Sequence, residues 1–144
     1  MKIIIGADHR GYALKQELIA AIPEYSWLDS GAHTAERSDY PLFAADVCQS
    51  ILAGTAELGI LLCGTGVGMS IAANRYPGIY AALCWNASLA RLAREDDGAN
   101  VLVLPADFVS PAQAVCVVQA WLAASFKGGR YQERLALLEK LAQR

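Results

Sequence analysis

An α/β fold built on one parallel sheet is predicted by three observations. Short apolar runs alternate along the chain with segments of helical spacing, the order that produces β-α units with helices on both faces of a sheet. One run, Leu58–Cys63, is apolar without interruption, as expected of a strand covered on both faces. Hydrophobic residues make up 55% of the 144 and charged residues 18%, which supplies a core and excludes disorder. Residues 1–144 therefore read as a single domain.

Each element follows from local pattern. Lys2–Ala7 is an Ile-rich strand, and Gly11–Ala21 has helical spacing through Leu14, Leu18 and Ala21, with Pro23 just beyond its end. Ser26–Asp29 is a short strand, and Pro41–Ala53 a helix with proline in its first turn. After the strand Leu58–Cys63 come a helix over Met69–Arg75, a strand over Ile79–Cys84 and a helix over Ala87–Glu95. Asn100–Leu104 is the fifth strand, followed by helices over Pro111–Ser125 and Arg130–Arg144. Every strand is thus followed by a helix, and no internal repeat, low-complexity stretch or linker interrupts the series.

Charge and composition exclude several function classes. Twelve Lys and Arg against fourteen Asp and Glu leave a net −2, so no general field attracts nucleic acid or an anionic membrane. A phosphate ligand would need a local pocket. Asp8, His9 and Arg10 follow the opening isoleucines too soon for a secretory signal. The segment from Phe108 to Phe126 carries no Asp, Glu, Lys or Arg, but its Pro, Ser and Gln content and its many alanines read as a buried or interface helix rather than a membrane span. Cys48, Cys63, Cys84 and Cys116 show no metal-ligand spacing, and the expectation is a cytoplasmic protein with reduced thiols and no metal.

In parallel α/β sheets ligands bind beyond the carboxyl ends of the strands, so the residues after each strand are the candidates. The first strand ends in Gly6-Ala7-Asp8-His9-Arg10-Gly11. This is either a binding site or a helix start, since Asp8 alone would cap a helix. The third ends in Cys63-Gly64-Thr65-Gly66-Val67-Gly68-Met69-Ser70. Glycines at alternate positions let the backbone turn tightly and aim several N–H groups at one point, and the following helix adds its positive end. A cysteine beside such an anion hole has its thiolate favoured. It can take a proton α to a carbonyl while backbone donors hold the enediolate oxygen. The loop is not a dinucleotide fingerprint, because its third glycine comes one residue early and the expected acid is missing after Cys84-Trp85-Asn86. It is not a phosphate loop of the Gly-Lys-Ser/Thr type, because it has no lysine. A structural turn with an inert cysteine is the competing reading. Arg130 and Arg134, four apart at the start of the last helix, share a face and suit either a phosphate or a solvated surface.

These residues carry a resemblance. Gly6-Ala7-Asp8-His9-Arg10-Gly11, Ser38-Asp39-Tyr40-Pro41, the run from Cys63 through Ser70-Ile71-Ala72-Ala73-Asn74-Arg75, and Gly128-Gly129-Arg130 together resemble type B ribose-5-phosphate isomerase. That family also includes the galactose-6-phosphate isomerase subunits, and the resemblance runs essentially end to end. It implies a Rossmann-like three-layer α/β/α sandwich with a five-stranded parallel sheet and a C-terminal helix. It also implies homodimers, often paired into tetramers, with active sites shared across the dimer, and a sugar-phosphate substrate isomerised without cofactor or metal. By the same resemblance Cys63 is the base that moves a proton between C1 and C2, and Thr65 assists at the sugar oxygens. The backbone of Gly64, Thr65, Gly66, Val67 and Gly68 forms the anion hole. Asp8, His9 and Tyr40 contact sugar or phosphate, and Arg130 and Arg134 bind phosphate.

Two positions depart from the family pattern. Where the family carries the His-Asn pair that serves ring opening, alignment on Asn100-Val101-Leu102 places Asp96 and Asp97. Where it carries a phosphate-binding arginine after the fifth strand, this chain has Asp107. A carboxylate ordinarily titrates near pH 4, a poor match to proton shuttling at neutrality unless crowded by a neighbour such as Asp97, and acids at these places repel phosphate. Three readings follow: a ribose 5-phosphate isomerase using Asp96 or water, a relative tuned to another sugar phosphate such as an open-chain tetrose or a hexose, or a non-catalytic subunit that needs a partner chain.

Overall fold

The computed structural model describes residues 1–142. Five strands, β1 (Lys2–Ala7), β2 (Ser26–Asp29), β3 (Leu58–Cys63), β4 (Ala81–Leu83) and β5 (Val101–Pro105), form one sheet in the order β2-β1-β3-β5-β4. Every pairing is parallel, with Ile3 opposite Leu58, Ala7 opposite Leu62, Gly59 opposite Val101 and Cys63 opposite Pro105. The helices are α1 (Tyr12–Ala21), α2 (Tyr40–Leu52), α3 (Val67–Ala73), α4 (Ala87–Asp97), α5 (Pro111–Ala123) and α6 (Arg130–Ala142).

The central strands face both ways, so their residues divide between two cores. Ile3, Ile5, Ile60, Leu62, Leu102 and Leu104 meet Leu14 and Leu18 of α1, Ala90 of α4 and Val118 and Trp121 of α5. Ile4, Leu61, Cys63, Val101 and Val103 meet Ala44 and Val47 of α2 and Met69 and Ala73 of α3. The result is the expected three-layer sandwich, α1, α4 and α5 on one face and α2 and α3 on the other. Alternate side chains of one strand point to opposite faces, which is why β3 is apolar throughout.

The segment expected to be a buried helix is α5, with Ala114, Val117, Val118, Trp121 and Leu122 inside. Ser110 starts it: its hydroxyl accepts from the Gln113 N–H at 3.2 Å, and the Gln113 side chain accepts from the Ser110 N–H at 2.8 Å, with Pro111 between. Among the described residues no helix is long and apolar enough to cross a membrane.

The expected boundaries hold for β1, β2 and β3 and shift elsewhere. Helix α3 occupies Val67–Ala73, not Met69–Arg75, because Gly66 takes a left-handed conformation, φ +77°, that starts the helix at once. Strand β4 shrinks from Ile79–Cys84 to Ala81–Leu83. The Asn100 side chain takes the Tyr80 N–H at 2.8 Å, and the Asn74 side chain accepts from the Ala81 N–H at 2.8 Å and donates to its carbonyl at 2.9 Å. Side chains thus replace ladder partners at this sheet edge. Helix α4 continues to Asp97 and stops at Gly98, φ 60°, so Asp96 and Asp97 belong to its last turn rather than to a loop. The last helix was expected to reach Arg144; its final two positions lie outside the described residues.

Candidate active site

Loops after β1 and β3 leave the sheet from adjacent strands toward helices on opposite faces, and the crevice between them opens at the carboxyl ends. Cys63, the last residue of β3, is buried there against α3. The Cys63 carbonyl accepts from the Ala106 N–H and the Gly64 carbonyl from the Asp107 N–H, each at 2.9 Å, which ties the loop to the end of β5.

Close packing explains the glycines of this loop. A Cβ on Gly66 would strike Leu83, and one on Gly68 would come within 2.7 Å of the Tyr40 ring. Tyr40 therefore lies on the loop. The Val67 N–H is already occupied, donating to Thr65 Oγ1 at 3.2 Å. Among the described residues the N–H groups of Gly64, Thr65, Gly66 and Gly68 donate to no protein acceptor. Of the loop donors expected to line an anion hole, the Val67 N–H is thus spent on positioning Thr65. Thr65 accepts that bond, which leaves its own O–H free, and it borders an open cleft of about 350 Å³ with Leu83, Trp85, Pro105, Phe108 and Gln113.

Asp8 is not the helix cap; Gly11 holds that place. Asp8 is buried, and its Oδ1 accepts from the N–H groups of Arg10 at 2.9 Å and Gly11 at 3.2 Å. It shapes the turn that delivers His9 and Arg10. The His9 backbone N–H donates to Ser38 Oγ at 3.0 Å, and its Nδ1 lies 3.2 Å from both the N–H and the carbonyl oxygen of Ser38. Ser38 was visible in the sequence only as part of a motif; its role appears once the loops meet.

The remaining candidates are elsewhere. A helix after a parallel strand runs back along the sheet, so the end of α4 and the start of α6 sit at the amino ends of the strands. The Gly59 N–H bonding to the Asn100 carbonyl at 3.0 Å marks that edge. Asp96, Asp97, Arg130 and Arg134 are therefore separated from Cys63 of the same chain by the length of β3, roughly 20 Å at about 3.3 Å per residue. Asp96 accepts from Lys127 Nζ at 3.0 Å. The Arg130 and Arg134 guanidinium groups lie 5.0 and 5.5 Å from the Tyr131 ring centre.

Asp107 returns to the Cys63 edge, where Arg10 pairs with it. Burial pushes the Cys48 and Cys84 thiols up to about 11, in keeping with inert core residues. Cys116 is exposed. Among the described residues no group of three or more His, Cys, Asp or Glu side chains could hold a metal.

Comparison with known proteins points to one family. The model of the ribose/galactose isomerase family matches residues 3–138. Ribose-5-phosphate isomerase B of Escherichia coli (strain K12) is 41% identical over 145 aligned positions, covering 99% of this chain and 97% of that protein. The crystal structure of a ribose 5-phosphate isomerase from Thermotoga maritima superposes with a TM-score of 0.94 at 44% identity, covering 96% of this chain and 97% of that one. Ribose-5-phosphate isomerase B from Mycoplasma genitalium, solved with bound ribulose-5-phosphate, gives 0.92 at 36% identity, covering 99% and 97%.

Proposed function

This chain belongs to the ribose/galactose isomerase family, and from that premise we propose that it interconverts ribose 5-phosphate and ribulose 5-phosphate. The observation that carries the reading is the loop Cys63–Gly68, whose four N–H groups without protein acceptors stand beside a buried cysteine at the carboxyl edge.

In the proposed reaction the Cys63 thiolate takes the C2 proton of the open aldose. The C2 electron pair forms a C1–C2 double bond and the charge moves to O1, giving the enediolate. Return of the proton to C1, with the O2 proton lost, yields the ketose, and no oxidant or reductant is consumed. The N–H groups of Gly64, Thr65, Gly66 and Gly68 hold the oxyanion. The Thr65 hydroxyl, positioned by the Val67 N–H, moves a proton between O1 and O2. Tyr40, Asp8 and His9 shape the sugar end. The separation of Arg130 and Arg134 from Cys63 within one chain supports a homodimer in which each site joins the Cys63 edge of one copy to the α6 start of the other.

The test is turnover of ribose 5-phosphate by the purified chain. Cys63→Ala is expected to lower kcat by about 10²–10⁴, the contribution of a positioned base, with no change in circular dichroism or melting temperature. Undiminished turnover by that variant would remove Cys63 from the mechanism.

A second reading, a different sugar phosphate, is favoured by one observation. Asp96 stands at the ring-opening position in place of the family's histidine, and its side chain is engaged by Lys127 Nζ at 3.0 Å. Erythrose 4-phosphate, which needs no ring opening, and the 6-phosphates of allose and galactose run in parallel decide between the two. Cys63-dependent turnover of one of these, with negligible turnover of ribose 5-phosphate, would select the second.

A further inference from the structure

One charged side chain at the Cys63 edge has no part in the mechanism above. Arg10 is about half exposed, 52%, yet its position is closely defined. Its N–H is held by Asp8, and the Asp8 N–H bonds to the Leu62 carbonyl at 3.2 Å, one residue before Cys63. Gly11, next in sequence, packs so closely on Leu62 that a Cβ there would come within 2.8 Å of the Leu62 carbonyl oxygen. The turn is therefore anchored to the end of β3. From it the guanidinium folds over Gly64, where a Cβ would lie 2.7 Å from Nη1. Nη2 reaches Asp107, whose own N–H is bonded to the Gly64 carbonyl. Cation and counterion thus straddle the first residue of the loop.

The geometry points to Arg10 as a substrate-binding, specificity-determining residue that takes the phosphate group of the sugar. This rests on the isomerase reading of the site. A guanidinium has five N–H donors in a fork that fits two phosphate oxygens, and one of its nitrogens, Nη2, is recorded on Asp107. Ion pairs this exposed hold their partners weakly, so a phosphate dianion displaces Asp107 from the fork rather than having to create a cation site. Asp107 then serves as the counterion that keeps Arg10 over Gly64 when substrate is absent. His9, adjacent in the chain, stands on the same turn beside it.

The experiment combines steady-state kinetics on ribose 5-phosphate with calorimetric binding of inorganic phosphate, for wild type, Arg10→Ala and Arg10→Lys. Arg10→Ala is expected to raise KM and to weaken phosphate binding, each tenfold or more, with kcat within threefold. Arg10→Lys is expected to recover part of both. An unchanged KM and phosphate affinity in Arg10→Ala would overturn the proposal. So would a fall in kcat with phosphate affinity intact, because Arg10 would then act at the reacting carbons. Phosphate binding separates this proposal from the function itself: wild type could fail to turn over ribose 5-phosphate, defeating the isomerase reading, while weakened phosphate binding in Arg10→Ala still upheld Arg10.

Discussion

At the scale of the residue, the loop after β3 shows how little freedom its sequence has. Gly66 combines a left-handed backbone, φ +77°, with a neighbour in Leu83 that leaves no room for a side chain. Gly66→Ala is expected to cost roughly 1–2 kcal/mol from the backbone conformation and to lower turnover disproportionately by turning its N–H. Paired urea titrations and kinetics measure the two effects. The buried thiols make a pH prediction. Burial raises Cys48 and Cys84 from 9.0 to about 11, so the folded value lies above the unfolded one. Their contribution to stability is complete below about pH 9 and is lost as the pH climbs through about 11. Urea midpoints should fall over that interval, and the fall should shrink in a Cys48→Ala, Cys84→Ala double variant. The glycines and Cys63 were legible in the sequence because their spacing is a local property. Arg10 is not legible there, because its setting depends on contact with residues 54 and 97 positions away.

At the scale of the element, the edge strand β2 is fastened by one internal ion pair. Lys15 on α1 is fully buried, and its Nζ donates to Asp29 Oδ1 at 2.7 Å and Oδ2 at 2.8 Å. Asp29 also accepts from the Gly31 N–H at 3.0 Å, leading the chain out of the strand. Asp29→Ala would leave an uncompensated buried ammonium and should cost roughly 3 kcal/mol or more. Lys15→Met combined with Asp29→Ala should recover most of that loss, since an apolar pair of similar volume often replaces a buried ion pair without cost. Chemical denaturation of the single and double variants checks both. Composition did not announce this contact: a lysine at a core position of a helix violates the pattern from which helices are read, and only its partner explains it. Helix α6 is the opposite case. It has no buried residue, and Leu137, Leu138 and Leu141 are each about half exposed. Its attachment includes the Tyr80 O–H donating to Glu139 at 2.6 Å, a bond that pushes the Tyr80 hydroxyl up to about 12, and Leu135 against Gly98.

At the scale of the whole molecule, the decisive fact is that the candidate site is divided between two ends of the sheet. Cys63, Thr65, Tyr40, Asp8 and His9 stand at the carboxyl edge; Arg130, Arg134, Asp96 and Asp97 stand at the amino edge. If a second copy completes each site, variants from opposite ends must complement. Cys63→Ala and Arg130→Ala homodimers are each expected to be impaired. Unfolded together and refolded one to one, half the dimers would be mixed, and each mixed dimer would carry one unaltered site of two, giving about one quarter of wild-type activity. No recovery above the mean of the two variants would show that both ends do not serve one site. The fold class, the five strands in order and the Cys63–Gly68 loop are all written in the chain, because hydrophobic period and glycine spacing are local and survive in one dimension. Which candidates share a space depends on contacts between elements distant along the chain. Parallel strands send each helix back to the opposite edge, so residues with similar chemistry can lie one strand length apart. For the same reason Asp107, read alone as a repulsive charge, became the partner of Arg10 once two loops distant in sequence met over Gly64.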